Sequence, residues 1–172
     1  MRRALIVALG VAVAVAGLLG LMLVVSSRDD SQLSAAPAGP GELQPDHGAS
    51  HDAAAQPSGD TPPTSGTHRP DLVTRDHTTL TDDQIIHALE LGNVVILYDA
   101  PKPAAALERL QRDVSGPFDA ELAAAGQAVI LARRPGAGPA TALAWRRILK
   151  TGDAADPALL EFAEAWLGRG LP

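Results

Sequence analysis

Residues 61–172 predict an α/β fold, a two- or three-layer sandwich with the element order α-β-α-β-β-α. Three observations carry that expectation. Val94-Val95-Ile96-Leu97-Tyr98 and Ala128-Val129-Ile130-Leu131-Ala132 are apolar runs without polar alternation, the pattern of strands covered on both faces. Thr81-Asp82-Asp83-Gln84 and Asp156-Pro157 are helix starts, the first a capping box and the second an N-cap followed by Pro at N1. Gly92, Gly116-Pro117, Gly126 and the stretch from Arg134 to Pro139 are the turn signals that separate the periodic segments.

Taken in order, a short amphipathic helix is expected over 81–91, with Ile85 and Leu89 on one side and Gly92 as its stop. The first strand follows over 94–98. Pro103 suits the first position of a second helix, whose stripe of Leu107, Leu110 and Val114 runs to Gly116-Pro117. A further short helix over about 118–125 ends at Gly126 and feeds the second strand, 128–132. Beyond the turn at 134–139, Thr141 to Leu149 is expected to return as an antiparallel partner strand. The last helix presents Leu159, Leu160, Phe162, Ala163, Trp166 and Leu167, and stops at Gly168. Trp145 and Trp166 are read as core or edge-of-core aromatics.

Two segments precede this domain. Arg2 and Arg3 stand before an unbroken apolar run from Ala4 to Val25, closed by Ser26, Ser27 and Arg28-Asp29-Asp30. A helix of that length spans about 33 Å, against a hydrocarbon core of about 30 Å. Residues 1–27 are therefore expected to be an uncleaved single-pass anchor in the cell membrane. The two arginines put the amino end in the cytoplasm and the rest of the chain outside it. A cleaved signal peptide is the rival, since Val25-Ser26-Ser27 offers small residues, but its apolar region is usually about 7–15 residues. Residues 28–60 are Ala, Gly, Pro, Ser, Gln and Asp with almost no large apolar side chain, so a disordered tether is expected there. Its two histidines, His47 and His51, are read as solvated linker residues, since Gly48 argues against a helix that would bring them together.

Composition excludes several classes of function. The chain of 172 residues has no cysteine, which rules out disulfides, thiolate metal sites and a Cys nucleophile. A net charge of −6 argues against nucleic acid as a partner, which would call for a basic face. Aromatic residues make up 3% of the chain, too few for a base-stacking platform. No Gly-rich phosphate loop precedes a helix, and Ser65 lacks a nucleophile elbow. Arg133-Arg134 and Arg146-Arg147 are read as strand-end charges paired with local acids. No catalytic or organic-cofactor-binding residue is assigned.

The remaining chemistry lies around the first helix. Pro62-Pro63-Thr64-Ser65-Gly66-Thr67-His68 is a stiffened loop that brings an imidazole to the start of the domain. At 100° per residue, His87 and Glu90 lie roughly opposite Ile85 and Leu89, on the side turned from the strands. Leu91 shares that side, which suggests that the loop carrying His68 covers it. An imidazole and a carboxylate one helical turn apart can converge on a metal ion.

These same segments, with His87-Ala88-Leu89-Glu90-Leu91-Gly92 running into Val94-Val95-Ile96-Leu97-Tyr98, resemble the bacterial family called domain of unknown function 3105. The likeness spans about residues 61–167 and takes in the Ala128–Pro135 strand and Ala144-Trp145. It implies a membrane-anchored or exported protein and no particular activity. The family usually reads His-Ala-Leu-Glu-His-Gly where this chain has Leu91 in place of the second His. Where a Gly-x-Tyr motif often follows the first family histidine, this chain has Arg75-Asp76-His77. The resemblance thus yields two expectations. Either His77 substitutes for the missing ligand, giving His68, His77, His87 and Glu90 as the set, or the site has been lost.

Two classes of function follow: an extracytoplasmic domain that binds zinc or copper through His and Glu, and a non-catalytic cell-envelope interaction or structural module with no metal.

Overall fold

A computed structural model describes residues 38–52 and 61–171. In chain order these form β1 (Glu42–Leu43), α1 (Asp82–Leu91), β2 (Val94–Tyr98), α2 (Ala105–Val114), α3 (Ala120–Ala124), β3 (Val129–Arg133), β4 (Ala140–Ala144), β5 (Arg147–Thr151) and α4 (Ala158–Trp166). The expected anchor, 4–25, lies outside the described residues, as do 28–37 and 53–60 of the expected tether. Among the described residues no helix is long and apolar enough to cross a membrane.

The strands form one mixed sheet in the order β1-β5-β4-β2-β3. β2 and β3 run parallel, from Val94 opposite Val129 to Tyr98 opposite Arg133. The other pairings are antiparallel. All five residues of β2 are buried, because the pleat sends alternate side chains into two separate layers. Val94, Ile96 and Tyr98 pack with Leu107 and Leu110 of α2 and with Leu159, Phe162, Ala163 and Trp166 of α4. Val95 and Leu97 pack with Ile85, Ala88 and Leu89 of α1 and Ala123 of α3. The fold is the three-layer form of the predicted sandwich.

Two expectations need correction. Thr141 to Leu149 is not one strand. β4 and β5 form a hairpin around Trp145-Arg146, with Ala144 opposite Arg147. Arg146 takes the left-handed φ of 57° that the turn requires, without the Gly or Asn that would signal it. Tertiary bonds hold it there: its N–H donates to the Thr64 carbonyl (3.0 Å) and its carbonyl accepts from the Gln44 N–H (2.9 Å).

Residues 38–52 are likewise not an unstructured tether. β1 pairs with β5, Glu42 opposite Ile148, and Trp166 Nε1 donates to the Pro40 carbonyl (2.9 Å). With few large apolar side chains of its own, this strap takes its order from backbone hydrogen bonds to the sheet edge and the β4–β5 turn.

The opposite sheet edge is closed by Asp76-His77-Thr78. His77 N–H donates to the Leu131 carbonyl (2.8 Å), and Arg133 N–H donates to the Thr78 carbonyl (2.9 Å). Asp76 accepts from Leu131 N–H (2.7 Å) and Gln111 Nε2 (2.6 Å). A covered edge offers no template for pairing with another chain.

The position of α1 is fixed at its carboxyl end. Asn93, 1% exposed, donates through Nδ2 to the carbonyls of Ala88 (3.0 Å) and Ala123 (2.8 Å), and its Oδ1 accepts from Ala128 N–H (2.9 Å). One side chain so ties α1 to α3 and to the start of β3. Gly126, at φ 72°, lets the following turn run against the Leu91 carbonyl, leaving no room for a Cβ. Gly136, at φ 82°, has open space where its Cβ would be. Gly126→Ala is therefore expected to cost about 2–3 kcal/mol in urea unfolding, from strain plus the clash. Gly136→Ala should cost only about 1 kcal/mol, from the backbone conformation alone. Equal costs at the two positions would contradict the close approach at Leu91.

Candidate metal centre

α1 starts where the capping box predicted. Thr81 Oγ1 accepts from Gln84 N–H (3.2 Å), and Gln84 Oε1 accepts from Thr81 N–H (3.1 Å). The helix ends at Gly92, φ 111°. With Ile85, Ala88 and Leu89 turned to the sheet, His87 and Glu90 stand on the outer side, as their spacing required.

Two chain segments cover that side. The first is the loop carrying His68, anchored through the Thr64 carbonyl to the β4–β5 turn. Arg69 holds its far end, donating from Nε to Asp83 Oδ2 (2.7 Å) on α1. The second is the strap, which lies along the loop. Gly66 N–H donates to the Gly48 carbonyl (2.8 Å), His68 N–H to the Ser50 carbonyl (3.0 Å) and Asp52 N–H to the His68 carbonyl (3.1 Å). That short parallel pairing sets His51 beside His68. Ser65, fully buried, adds a side-chain link: its Oγ accepts from His47 N–H (3.0 Å) and donates to the Pro45 carbonyl (3.1 Å).

Four side chains from these three segments converge. Glu90 Oε2 lies 2.9 Å from His51 Nε2, 3.1 Å from His68 Nε2 and 3.2 Å from His87 Nδ1. His68 Nε2 and His87 Nδ1 are 3.3 Å apart. One ligand atom from each of the four lies within 4.8 Å of all the others. Four ligands about 2.0–2.1 Å from a zinc ion stand about 3.3 Å from one another at the corners of a tetrahedron. Most of the measured separations are already near that value, so the group could close around an ion with small movements.

The hydrogen bonds orient the group for such a role. His68 Nδ1 faces the Gly66 carbonyl at 3.0 Å. A carbonyl only accepts, so Nδ1 carries the proton and Nε2 of the neutral ring presents a lone pair. That nitrogen is within hydrogen-bonding reach of His87 Nδ1 at 3.3 Å and lies 3.1 Å from Glu90 Oε2. A backbone carbonyl that fixes the tautomer from behind is the usual support of a metal-binding imidazole.

Burial shapes the charge as well. It lowers the His87 pKa more than the hydrogen bond to Glu90 raises it, which favours the neutral ring that a metal needs. Burial alone would raise the Glu90 carboxyl. The hydrogen bonds from His51 and His87 outweigh that and hold it below its ordinary value, as a carboxylate.

Of the residues expected at the site, His68, His87 and Glu90 come together and His77 does not. His77 serves the outer edge of β3, with its backbone bound to Leu131 and its Nε2 3.3 Å from Asp76 Oδ2. The fourth member is His51, expected as a solvated linker histidine. Nothing in its local sequence marks it, because the long-range pairing of 48–52 with 66–68 is what brings it in. Leu91, at the place where the resemblance led a second helical histidine to be expected, carries no ligand atom to add to the group. Arg134 and Arg146 are paired with Asp82 (2.7 Å) and Asp46 (3.1 Å), in keeping with their reading as strand-end charges.

Fold and site together define a three-layer α/β domain with an imidazole–carboxylate cluster between its first helix and its amino-terminal strap. The chain belongs to the family described as Protein of unknown function (DUF3105), which it matches over residues 54–170. His68, His87 and Glu90 fall inside that match and His51 outside it. No curated protein and no solved structure matches the chain.

The two lowered pKa values carry a sign. His87 binds fewer protons in the folded state than in the unfolded state as pH drops below its ordinary 6.5, and Glu90 does the same below 4.5. Stability is then lost on acidification, first through His87 and later through Glu90. For the chelator-treated chain, the melting temperature is expected to fall steadily between pH 7.5 and pH 5, with a shallower slope in His87→Gln. A flat profile in the parent chain, or the same slope in both, would contradict a neutral buried His87.

Proposed function

We propose that this protein is a membrane-anchored extracytoplasmic domain that binds one transition-metal ion, zinc or copper, through His51, His68, His87 and Glu90. The observation that carries the reading is the meeting of three imidazole nitrogens, from three separate segments, at one carboxylate oxygen of Glu90. Imidazole with carboxylate suits zinc and copper over calcium or magnesium, which take all-oxygen shells. Three neutral rings and one carboxylate leave a divalent ion with a single net positive charge. Four protein ligands fill a tetrahedral ion, which favours binding or a structural role over catalysis. Residues 4–25, with Arg2 and Arg3 before them, support the anchor and the bilayer as a partner, amino end in the cytoplasm.

Elemental analysis of the purified chain in detergent, after dialysis against trace zinc, tests the site. About one zinc per chain is expected, lost in His87→Ala and in Glu90→Gln and kept in His77→Ala. Chelation should lower the stability of the loaded chain by about 3 kcal/mol where free metal stands a hundredfold above its dissociation constant. No retained metal in the parent chain would overturn this reading. The cluster would then be a polar seam that fastens the strap to α1 in a non-catalytic envelope module.

A further inference from the structure

We propose that His51 is a displaceable latch on this metal site: its departure opens one coordination position to a small monodentate ligand, water or an anion, while His68, His87 and Glu90 keep the ion. The inference rests on the metal reading above and concerns how the site is gated.

The four ligands are unequal. The His68 side chain is fully buried, that of His87 is 10% exposed and that of Glu90 18%, whereas that of His51 is 45% exposed. His68 is braced from behind by the Gly66 carbonyl, and His87 and Glu90 share one turn of a capped helix. Among the described residues His51 has no such brace. Its one side-chain hydrogen bond runs to Glu90 itself, and its ring rests edge-on against those of His68 and His87, with centroids 4.9 and 5.5 Å away. An imidazole without a fixing partner is the ligand most readily exchanged. Its segment, 48–52, is largely exposed and held to the loop by three backbone bonds. The three ligands that would remain form a His2Glu set, which leaves an open fourth position on a tetrahedral ion.

A tethered imidazole competes with free ligands at an effective concentration of about millimolar, so removing it should expose the ion to weak anions. Cobalt(II), which reports its ligands through its visible absorption, is the probe, and azide is the competing anion. The full chain in detergent is expected to bind about one cobalt and to respond to azide only weakly. His51→Ala should keep its cobalt and show an apparent azide affinity at least about tenfold higher, the tethered competitor being gone. His68→Ala should lose the cobalt. Loss of cobalt from His51→Ala as complete as from His68→Ala would overturn the latch, making His51 an indispensable ligand. An azide response in His51→Ala equal to that of the parent would overturn it too, placing His51 off the metal. If the parent binds no cobalt at all, the metal reading fails and the latch falls with it.

Discussion

A single carboxylate oxygen, Glu90 Oε2, is shared by three imidazoles that reach it from a helix, a loop and a strap. Each approach is tolerable only with compensation. Burying a carboxylate costs free energy unless positive charge or donors surround it. Most of the local architecture follows from holding these four groups together: the tautomer set by the Gly66 carbonyl, the pairing of strap and loop, and the salt bridge from Arg69 to Asp83.

The scaffold supplies the rigidity. Because β2 is covered on both faces, α1 is pressed against the sheet through Ile85, Ala88 and Leu89, and its outer face is left for chemistry. Asn93 and the close approach at Gly126 fix where the helix ends. The Trp145-Arg146 turn then fastens both covering segments, receiving the loop at Thr64 and the strap at Gln44. A turn far from α1 in sequence thereby sets how His51 and His68 face His87.

Much of this could be read in the sequence, for identifiable reasons. The strands read at 94–98 and 128–132, found at Val94–Tyr98 and Val129–Arg133, announce themselves because full burial removes alternation, and α1 because Thr81 and Gln84 cap it locally. The outward side of His87 and Glu90, and their cover by the His68 loop, follow from helical spacing plus the anomaly of Leu91. What escaped notice depends on contacts distant in sequence. The β4–β5 turn is made by Trp and Arg, held left-handed by neighbours rather than by intrinsic preference. β1 is two residues long and has no periodicity to detect. His51 enters through a pairing with residues 66–68, and His77 is spent on closing a sheet edge, so spacing alone could not rank the two.

X-ray absorption at the zinc edge, on the purified chain carrying zinc, is the most direct measurement of whether these four groups hold an ion. Coordination by this set predicts four nitrogen and oxygen neighbours at about 2.0–2.1 Å, with the outer-shell scattering of about three imidazole rings. A six-oxygen shell, or a spectrum without imidazole scattering, would contradict it and leave the cluster as a hydrogen-bonded seam.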